Sequence, residues 1–427
     1  MISEVFSYYL PDLIRMENNM IYDVIVIGGG PAGLMACNIL QLNQVNYLLL
    51  EKNEKLGEKL LISGGKRCNV TNNLSIEEFI TSLTFKHKRF LYTALSDFGP
   101  KDIIKFFKDR GLTLVLEDNL KYFPETQKSS SVLEALVQGI DLKRIHYGSV
   151  VKEIIKNETG FELKTIHHVY QTKRVIIATG SSSYPSTGSN GDGLLFAKKF
   201  DIQYADFTPA ETHVYSKYVS EKLADLQGVS LNTEVRINNT KISAKGGLLF
   251  THFGLSGPAI LHTSEDIHKE VVKGSASVSF SLTELNNDDT ISAFQKAKEQ
   301  NMHVLKYLEE MTTKRLAKKI LDMAHVDNKR IQEISRKDLQ IIQDLLLNFT
   351  VEIDRVETVD KAFVNAGGIL TSELNPKTMG SKKVDGMYFI GETVDLHGPI
   401  GGYNITIALS TGYKCSMSIV EEMRSEK

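Results

Sequence analysis

The chain has 427 residues, of which 42% are apolar and 24% charged, the balance of a globular protein with two to three domains. Its net charge of −2 gives no global reason to expect nucleic acid or anionic lipid, and no apolar run approaches the ~18 residues that span a bilayer. Cys37, Cys68 and Cys415 form no CxxC pair, which excludes a disulfide framework and a dithiol redox centre, so a cytoplasmic protein is expected.

Residues 1–20 lack a basic, then apolar, leader pattern, and Met16 and Met20 precede the first strand, so this stretch reads as a late start or a loosely held arm. Residues 22–27 are a β-branched run that ends in glycines, the pattern of a buried parallel strand. Helical spacing follows at Leu34, Cys37 and Leu40, and a second strand over 46–50 ends in Glu51. A Gly/Lys-rich loop covers 57–73. Residues 76–110 read as helical, with Phe98, Ile103, Phe106 and Phe107 as core candidates, and short strands and turns fill 112–125. Residues 145–177 alternate as strands and run into Gly180, and the Ser/Gly-rich stretch 180–193 reads as an exposed loop or a domain crossing.

The pattern then changes. Several short strands are predicted over 229–283 and a helical cluster over 290–347, where Leu316, Ile320 and Met323 mark one apolar helix face. Between Lys296 and Lys337, eleven Lys and Arg face six Asp and Glu, which reads as a solvated helix face in preference to a nucleic-acid surface. After about residue 360 the first pattern returns: a strand at Met387–Ile390, Gly391, a glycine-rich turn at 398–402 and a long helix. The expected fold is α/β, with a discontinuous Rossmann-like domain (20–194 and 361–427) and an inserted domain of strands and helices (195–360).

Gly28-Gly29-Gly30-Pro31-Ala32-Gly33 matches the dinucleotide fingerprint G-x-G-x-x-G. In that pattern Gly28 permits the tight turn, Gly30 lets the backbone approach a pyrophosphate, and Gly33 lets helix and strand pack closely. Pro31 and Ala32 open the helix, whose N-terminus offers free N–H groups to phosphate. Glu51 answers as the ribose partner and argues against a 2′-phosphate. Three features favour FAD over NAD. The segment Ile176–Gly180 resembles the mid-chain motif of FAD proteins. Tyr388–Glu392 resembles their late strand, and the Gly401-Gly402 turn before a helix lies where such folds place the flavin ring.

Four more segments sharpen this: Lys59–Asn72 with Ser63-Gly64-Gly65-Lys66-Arg67-Cys68-Asn69 at its centre; Thr251–Pro258; Asn365–Gly368 with Thr378–Lys382; and Gly398–Asn404. Together with the fingerprint they resemble the BaiN/RdsA-type family of NAD(P)/FAD-dependent oxidoreductases, whose members include bile-acid 3-oxo-Δ4 reductases and aminoacetone oxidases. The resemblance implies FAD contacts at Gly28, Gly30, Gly33, Glu51, Lys52, Gly65, Arg67, Cys68, Gly391, Glu392, Gly402 and Asn404, with Val151, Gly180 and Gly401 beside them. The sequence departs from the family at Lys66 and His397, where Gly and Asp are usual.

Some side chains carry two readings. Arg67 reads as a flavin or substrate contact or as a structural ion pair. Cys68 reads as a reactive thiol or as a small buried apolar residue. His397 and His252 are the catalytic candidates, as proton donor and as substrate contact, against plain hydrogen-bonding roles. The expected function is NAD(P)H-driven reduction of an activated C=C bond in a small organic substrate. The alternatives are oxidation of an amine with O₂, tRNA modification, and flavin-based redox sensing. No second glycine fingerprint follows a second strand, because Gly188–Gly193 has the wrong spacing, so NAD(P)H is expected to bind transiently. No metal site and no membrane contact are expected.

Overall fold

A computed structural model describes residues 20–117, 120–285 and 287–426; the expectation for residues 1–19 lies outside them. The chain divides into two compact units. The first runs to Thr208 and resumes at Val364, and the second is Pro209–Phe363. The division therefore falls later than the expected 194/195. The reason is a helix at Asp192–Lys199 that buries Phe196 and Ala197 in the core of the first unit.

The first unit opens as a βαβ motif. Strand β1 (Ile21–Ile27) and β2 (Tyr47–Leu50) pair in parallel from Val24↔Tyr47 to Ile27↔Leu50. Helix α1 (Pro31–Leu42) joins them and is buried over most of its length. Val24, Ile25 and Val26 have no exposed surface, because a central parallel strand is covered on both faces and so reads as a continuous apolar run. Next come α2 (Glu58–Ile62), β3 (Thr71–Asn72), α3 (Ile76–Ser82), α4 (Tyr92–Asp97) and α5 (Pro100–Lys108). Phe98, Ile103, Phe106 and Phe107 are all buried. Strands β4 (Leu114–Glu117) and β5 (Lys121–Pro124) form a small sheet with β3. After α6 (Ser129–Val137) come β6 (Ile145–His146), β7 (Glu153–Asn157), β8 (Gly160–Lys164) and β9 (Val169–Ile177). The main sheet has the order β6-β2-β1-β9-β8-β7; the first four strands are parallel, and β8 and β7 form an antiparallel extension.

The stretch 180–193 was expected to be exposed or a crossing. It is a loop exposed only in part, at Pro185, Ser186 and Asn190, with Ser181, Ser183 and Ser189 buried, and it is no crossing, because it leads into α7 (Asp192–Lys199) of the same unit. The crossing is made instead by β10 (Tyr204–Glu211).

The second unit is built on one antiparallel sheet. Its elements are β11 (Val214–Tyr215), α8 (Lys217–Lys222), β12 (Ser230–Ile237), β13 (Ser243–Phe250), β14 (Gly254–Ser256), α9 (Pro258–Leu261), α10 (Ser264–Lys273) and β15 (Ala276–Phe280). Four helices follow: α11 (Asn287–Glu299), α12 (Val304–Met311), α13 (Lys314–Ala324) and α14 (Arg336–Leu347). Strands β16 (Phe349–Ile353) and β17 (Arg355–Val356) complete the order β16-β15-β12-β13-β14-β11-β17. Strand β12 buries Leu231, Thr233, Val235 and Ile237 and turns the residues between them outward, the period of a half-buried strand. Leu316 and Ile320 are fully buried and Met323 partly so, on one face of α13. Helices α9 and α10 interrupt a region read as strands only. Their apolar run Ala259–Leu261 is too short to show a period, and Pro258 at the first helical position decides for helix.

The chain returns through β18 (Val364–Ile369), a strand not expected from the sequence, and β19 (Met387–Phe389). Strand β19 lies parallel to β9, on the edge that β8 leaves open after Thr172. Helix α15 (Tyr403–Ser425) then crosses α1 so closely that a Cβ at Gly412 would sit 2.4 Å from the Ala32 carbonyl oxygen. No helix among the described residues is long and apolar enough to cross a membrane.

Candidate dinucleotide site

The site lies where β1, β2, β9 and β19 end on one edge of the parallel sheet, the edge at which open α/β sheets bind ligands. Gly28 has φ +105, and its N–H donates to Leu50 O at 2.9 Å. A Cβ there would meet Ala178 O at 2.5 Å, and one on Gly33 would meet Gly28 O at 2.0 Å. These two glycines let strand, turn and helix interlock. Gly30 differs: a Cβ on it would meet no protein atom within 4 Å. It is the N-cap of α1, no side chain caps that end, and Pro31 follows it. The result is an uncapped helix N-terminus beside open space, which is the cradle a pyrophosphate requires.

Glu51 faces this turn from the end of β2. Its Oε2 accepts the Gly29 N–H at 2.6 Å and its Oε1 the Asn53 N–H at 2.8 Å. Burial raises its carboxyl pKa above the usual range, against those two N–H bonds and the Lys52 charge. Each oxygen keeps a lone pair for a ribose hydroxyl. Lys52 is tied to Asp192 at 2.6 Å, and the Asn53 amide donates to Thr187 O at 3.0 Å. The loop 180–193 is thereby fastened over the end of β2. Val151 is buried two residues beyond Ser149, whose N–H donates to Glu51 O at 2.9 Å.

Gly180 donates its N–H to Thr393 Oγ1 at 3.0 Å, and Gly391 donates its own to Thr411 Oγ1 at 3.0 Å. At Gly391, φ is +64 and a Cβ would lie 2.9 Å from Ala32 Cβ, so the late strand ends against the start of α1. Glu392 accepts from Lys59 Nζ at 2.6 Å and from Ser181 Oγ at 3.1 Å. Burial opposes ionisation of Glu392, but the Lys59 charge and these bonds outweigh it and hold the carboxyl low. Lys59 and Ser181 were not among the expected site residues. Nor was Thr179, whose Oγ1 is buried with no hydrogen-bond partner among the described residues.

The other expected contacts gather around β3. At Gly402, φ is +85, and a Cβ would lie 2.6 Å from the Thr71 carbonyl group. Glycine is needed there because α15 starts against the backbone of β3; close approach to a flavin ring was the expected reason. The Thr71 and Thr406 hydroxyls meet at 2.8 Å across the same junction. The Asn404 side chain brackets Gly398, accepting its N–H at 2.9 Å and donating to its carbonyl at 2.8 Å, so its amide braces the preceding turn. Gly401, at φ +125, sits over Lys121. Gly402 and Thr411 are nine residues apart on α15, about 14 Å at 1.5 Å per residue, so the helix spans both groups of contacts.

Gly64, Gly65 and Lys66 are three consecutive residues with left-handed φ, and Cys68 is another. Lys66 stands where glycine carries no steric cost, whereas a side chain costs about 1 kcal/mol. Of the two readings of Arg67, the structure favours the structural one. Its guanidinium pairs with Glu117 and Gln127 and lies 4.1 Å over the Phe123 ring. Cys68 is fully buried, and burial pushes its thiol up to about 12. Cys37 and Cys415 are equally buried. Iodoacetamide is therefore expected to label none of the three in the folded protein at pH 8 and all three after denaturation, read by intact mass.

The two catalytic candidates lie in different units. His397 is buried, its ring 5.4 Å from that of Phe85. His252 is exposed in the second unit, edge-on to Phe253 at 4.9 Å.

The chain matches the HI0933-like protein Rossmann domain over residues 22–418. It is 29% identical over 405 residues to the ribosomal RNA dihydrouridine synthase of Escherichia coli strain K12, covering 93% of this chain and 98% of that one. It is 26% identical over 412 residues to the 3-dehydro-bile acid delta(4,6)-reductase of Clostridium scindens, again covering 93% and 98%. Among solved structures, the 3-ketosteroid-delta4-(5alpha)-dehydrogenase of Rhodococcus jostii RHA1 shares the fold, with a TM-score of 0.51 at 13% identity over 94% of this chain and 97% of that one.

Proposed function

The chain belongs to the HI0933-like family of FAD-dependent oxidoreductases, and from that premise we propose that it reduces the C5=C6 bond of a uridine in ribosomal RNA, with NAD(P)H as a transiently bound donor. The observation that carries this reading is the likeness to ribosomal RNA dihydrouridine synthases of two organisms, which runs over 98% of each. The chemistry agrees with the expectation of an activated C=C: the uracil C5=C6 bond is conjugated to a carbonyl, as is the dienone of a 3-dehydro bile acid. The low place given to nucleic acid rested on charge alone, and net charge says little about a substrate held by a few contacts.

The residues fit FAD. The α1 N-terminus and the open side of Gly30 would take the pyrophosphate, and Glu51 the adenosine ribose. The Lys59–Glu392–Ser181 network would order the polar wall next to Gly391. When bound, FAD supplies two-electron hydride chemistry.

The test uses purified, FAD-loaded protein with NADH or NADPH and ribosomal RNA from cells deleted for the gene. Nucleoside mass spectrometry should find new dihydrouridine. Unchanged RNA, together with turnover of a 3-oxo-Δ4 steroid, would favour the small-molecule reading suggested by the Clostridium scindens relative.

A further inference from the structure

One edge of the sheet in the second unit carries a group of rings that the dinucleotide site does not use. Strand β11 lies between β14 and β17, with Tyr215 opposite both Gly254 and Arg355. Val214 and Val356 point into the core. By the alternation of strands, His213, Tyr215, Arg355 and Glu357 share the other face. An outward face is ordinarily lined by exposed polar groups. Here the Phe253 ring lies 4.6 Å from His213 and 4.9 Å from Tyr215, and the exposed His252 meets its edge at 4.9 Å. The Arg355 guanidinium lies 3.3 Å over the Tyr215 ring.

These rings are held in place from beneath. Glu357 is only 5% exposed. Its Oε2 accepts from the Tyr215 hydroxyl at 2.7 Å and faces His213 Nε2 at 3.1 Å, while its Oε1 accepts the Thr358 N–H at 2.8 Å. A carboxylate only accepts, so His213 carries its proton on Nε2. The rings are thus ordered before any ligand arrives, which lowers the entropy cost of stacking on them. The surrounding charge is mixed, and the Arg355 guanidinium also lies 3.8 Å from Glu357 Oε1. Arg355 is exposed and the Lys361 charge acts on His213, while Asp354 accepts the Lys217 N–H.

We propose that this face, formed by His213, Tyr215, Phe253 and Arg355, is a subsite on which an unpaired base of the RNA substrate stacks. The inference rests on the RNA reading above. Aromatic and guanidinium planes are the surfaces on which splayed-out bases lie, and every base has a π-face to offer them. A flanking cation serves the adjoining phosphate.

The test uses full-length, FAD-loaded protein and two fluorescein-labelled probes at one salt concentration: a single-stranded oligouridylate and an RNA duplex of the same length. Arg355→Ala and Tyr215→Leu should each weaken oligouridylate binding about tenfold and leave duplex binding unchanged. Tyr215→Phe keeps the ring and should retain most of the affinity, which separates stacking from a structural role. Should wild-type protein form dihydrouridine while Arg355→Ala and Tyr215→Leu bind oligouridylate as wild type does, the subsite is overturned and the reading above stands. Equal weakening on both probes overturns it as well. Wild-type protein that neither binds the oligouridylate nor forms dihydrouridine overturns the reading and the subsite together.

Discussion

Gly30→Val is expected to give a folded, colourless protein, whereas Gly33→Val is expected to give no stable fold. The two positions are three residues apart in one motif and differ in what surrounds them. Gly30 has φ −80 and ψ −178, an extended backbone that valine adopts readily, and a Cβ there meets nothing within 4 Å. The fold tolerates the side chain, but the side chain fills the space a pyrophosphate must enter and shields the N–H groups of α1. FAD affinity should fall at least a hundredfold, about 2.7 kcal/mol. At Gly33 a Cβ would sit 2.0 Å from Gly28 O, so α1 must move off β1 before even a methyl group fits. That is overpacking against backbone, with an expected cost of about 3 kcal/mol or more. Released flavin and thermal unfolding of both variants check the pair. A Gly30→Val protein that keeps full FAD would show that the pyrophosphate does not lie at this turn.

Glu357→Gln should destabilise the second unit by about 3 kcal/mol at pH 7. Burial works against the charge of this carboxylate. The Thr358 N–H, the Tyr215 hydroxyl and His213 outweigh that cost and bring its pKa down from 4.5 to about 2. At about 1.4 kcal/mol per pKa unit, that difference gives the figure above. The folded-state pKa lies below the unfolded one, so the stabilisation is complete above pH 4.5 and is lost as the pH falls toward 2. A glutamine has no charge to lose. The gap between wild type and variant, measured by denaturant unfolding, should therefore shrink to less than half by pH 3. A gap that stays constant from pH 7 to pH 3 would mean that the charge of Glu357 is not what stabilises this edge.

The parts of the site that were legible in advance lie close together in the chain. Gly28, Gly30, Gly33 and Glu51 belong to one strand–turn–helix–strand unit, in which each residue type answers a local backbone requirement. Gly391 was read by the resemblance of Tyr388–Glu392 to the late strand of FAD proteins. What it approaches, Ala32, is set by the parallel placement of β19 beside β9. Lys59 and Glu392 are separated by 333 positions, and no spacing rule connects them.

The division between chain and fold follows from this. Residues 21–51 carry their strand, glycine turn, helix and acid in consecutive order, so backbone conformation, apolar period and a dinucleotide site are written locally, whereas the choice of FAD over NAD drew on distant segments. Side-chain roles depend on partners, and partners depend on which distant segments become neighbours. Gly402 needed to be glycine on any reading, but only the packing of α15 on β3 shows that Thr71 is the cause. Arg67 carried two readings in the sequence, and only its pairing with Glu117 favours the structural one, while the Asn404 amide, expected at the cofactor, braces Gly398. The ring cluster of the second unit was invisible for the same reason. Its members come from two short strands, β11 and β17, and the turn before β14, and they meet only because β11 lies between β14 and β17. A sheet brings its strands together by hydrogen-bond pairing at long range, and that pairing, which no local pattern encodes, decides which side chains can touch.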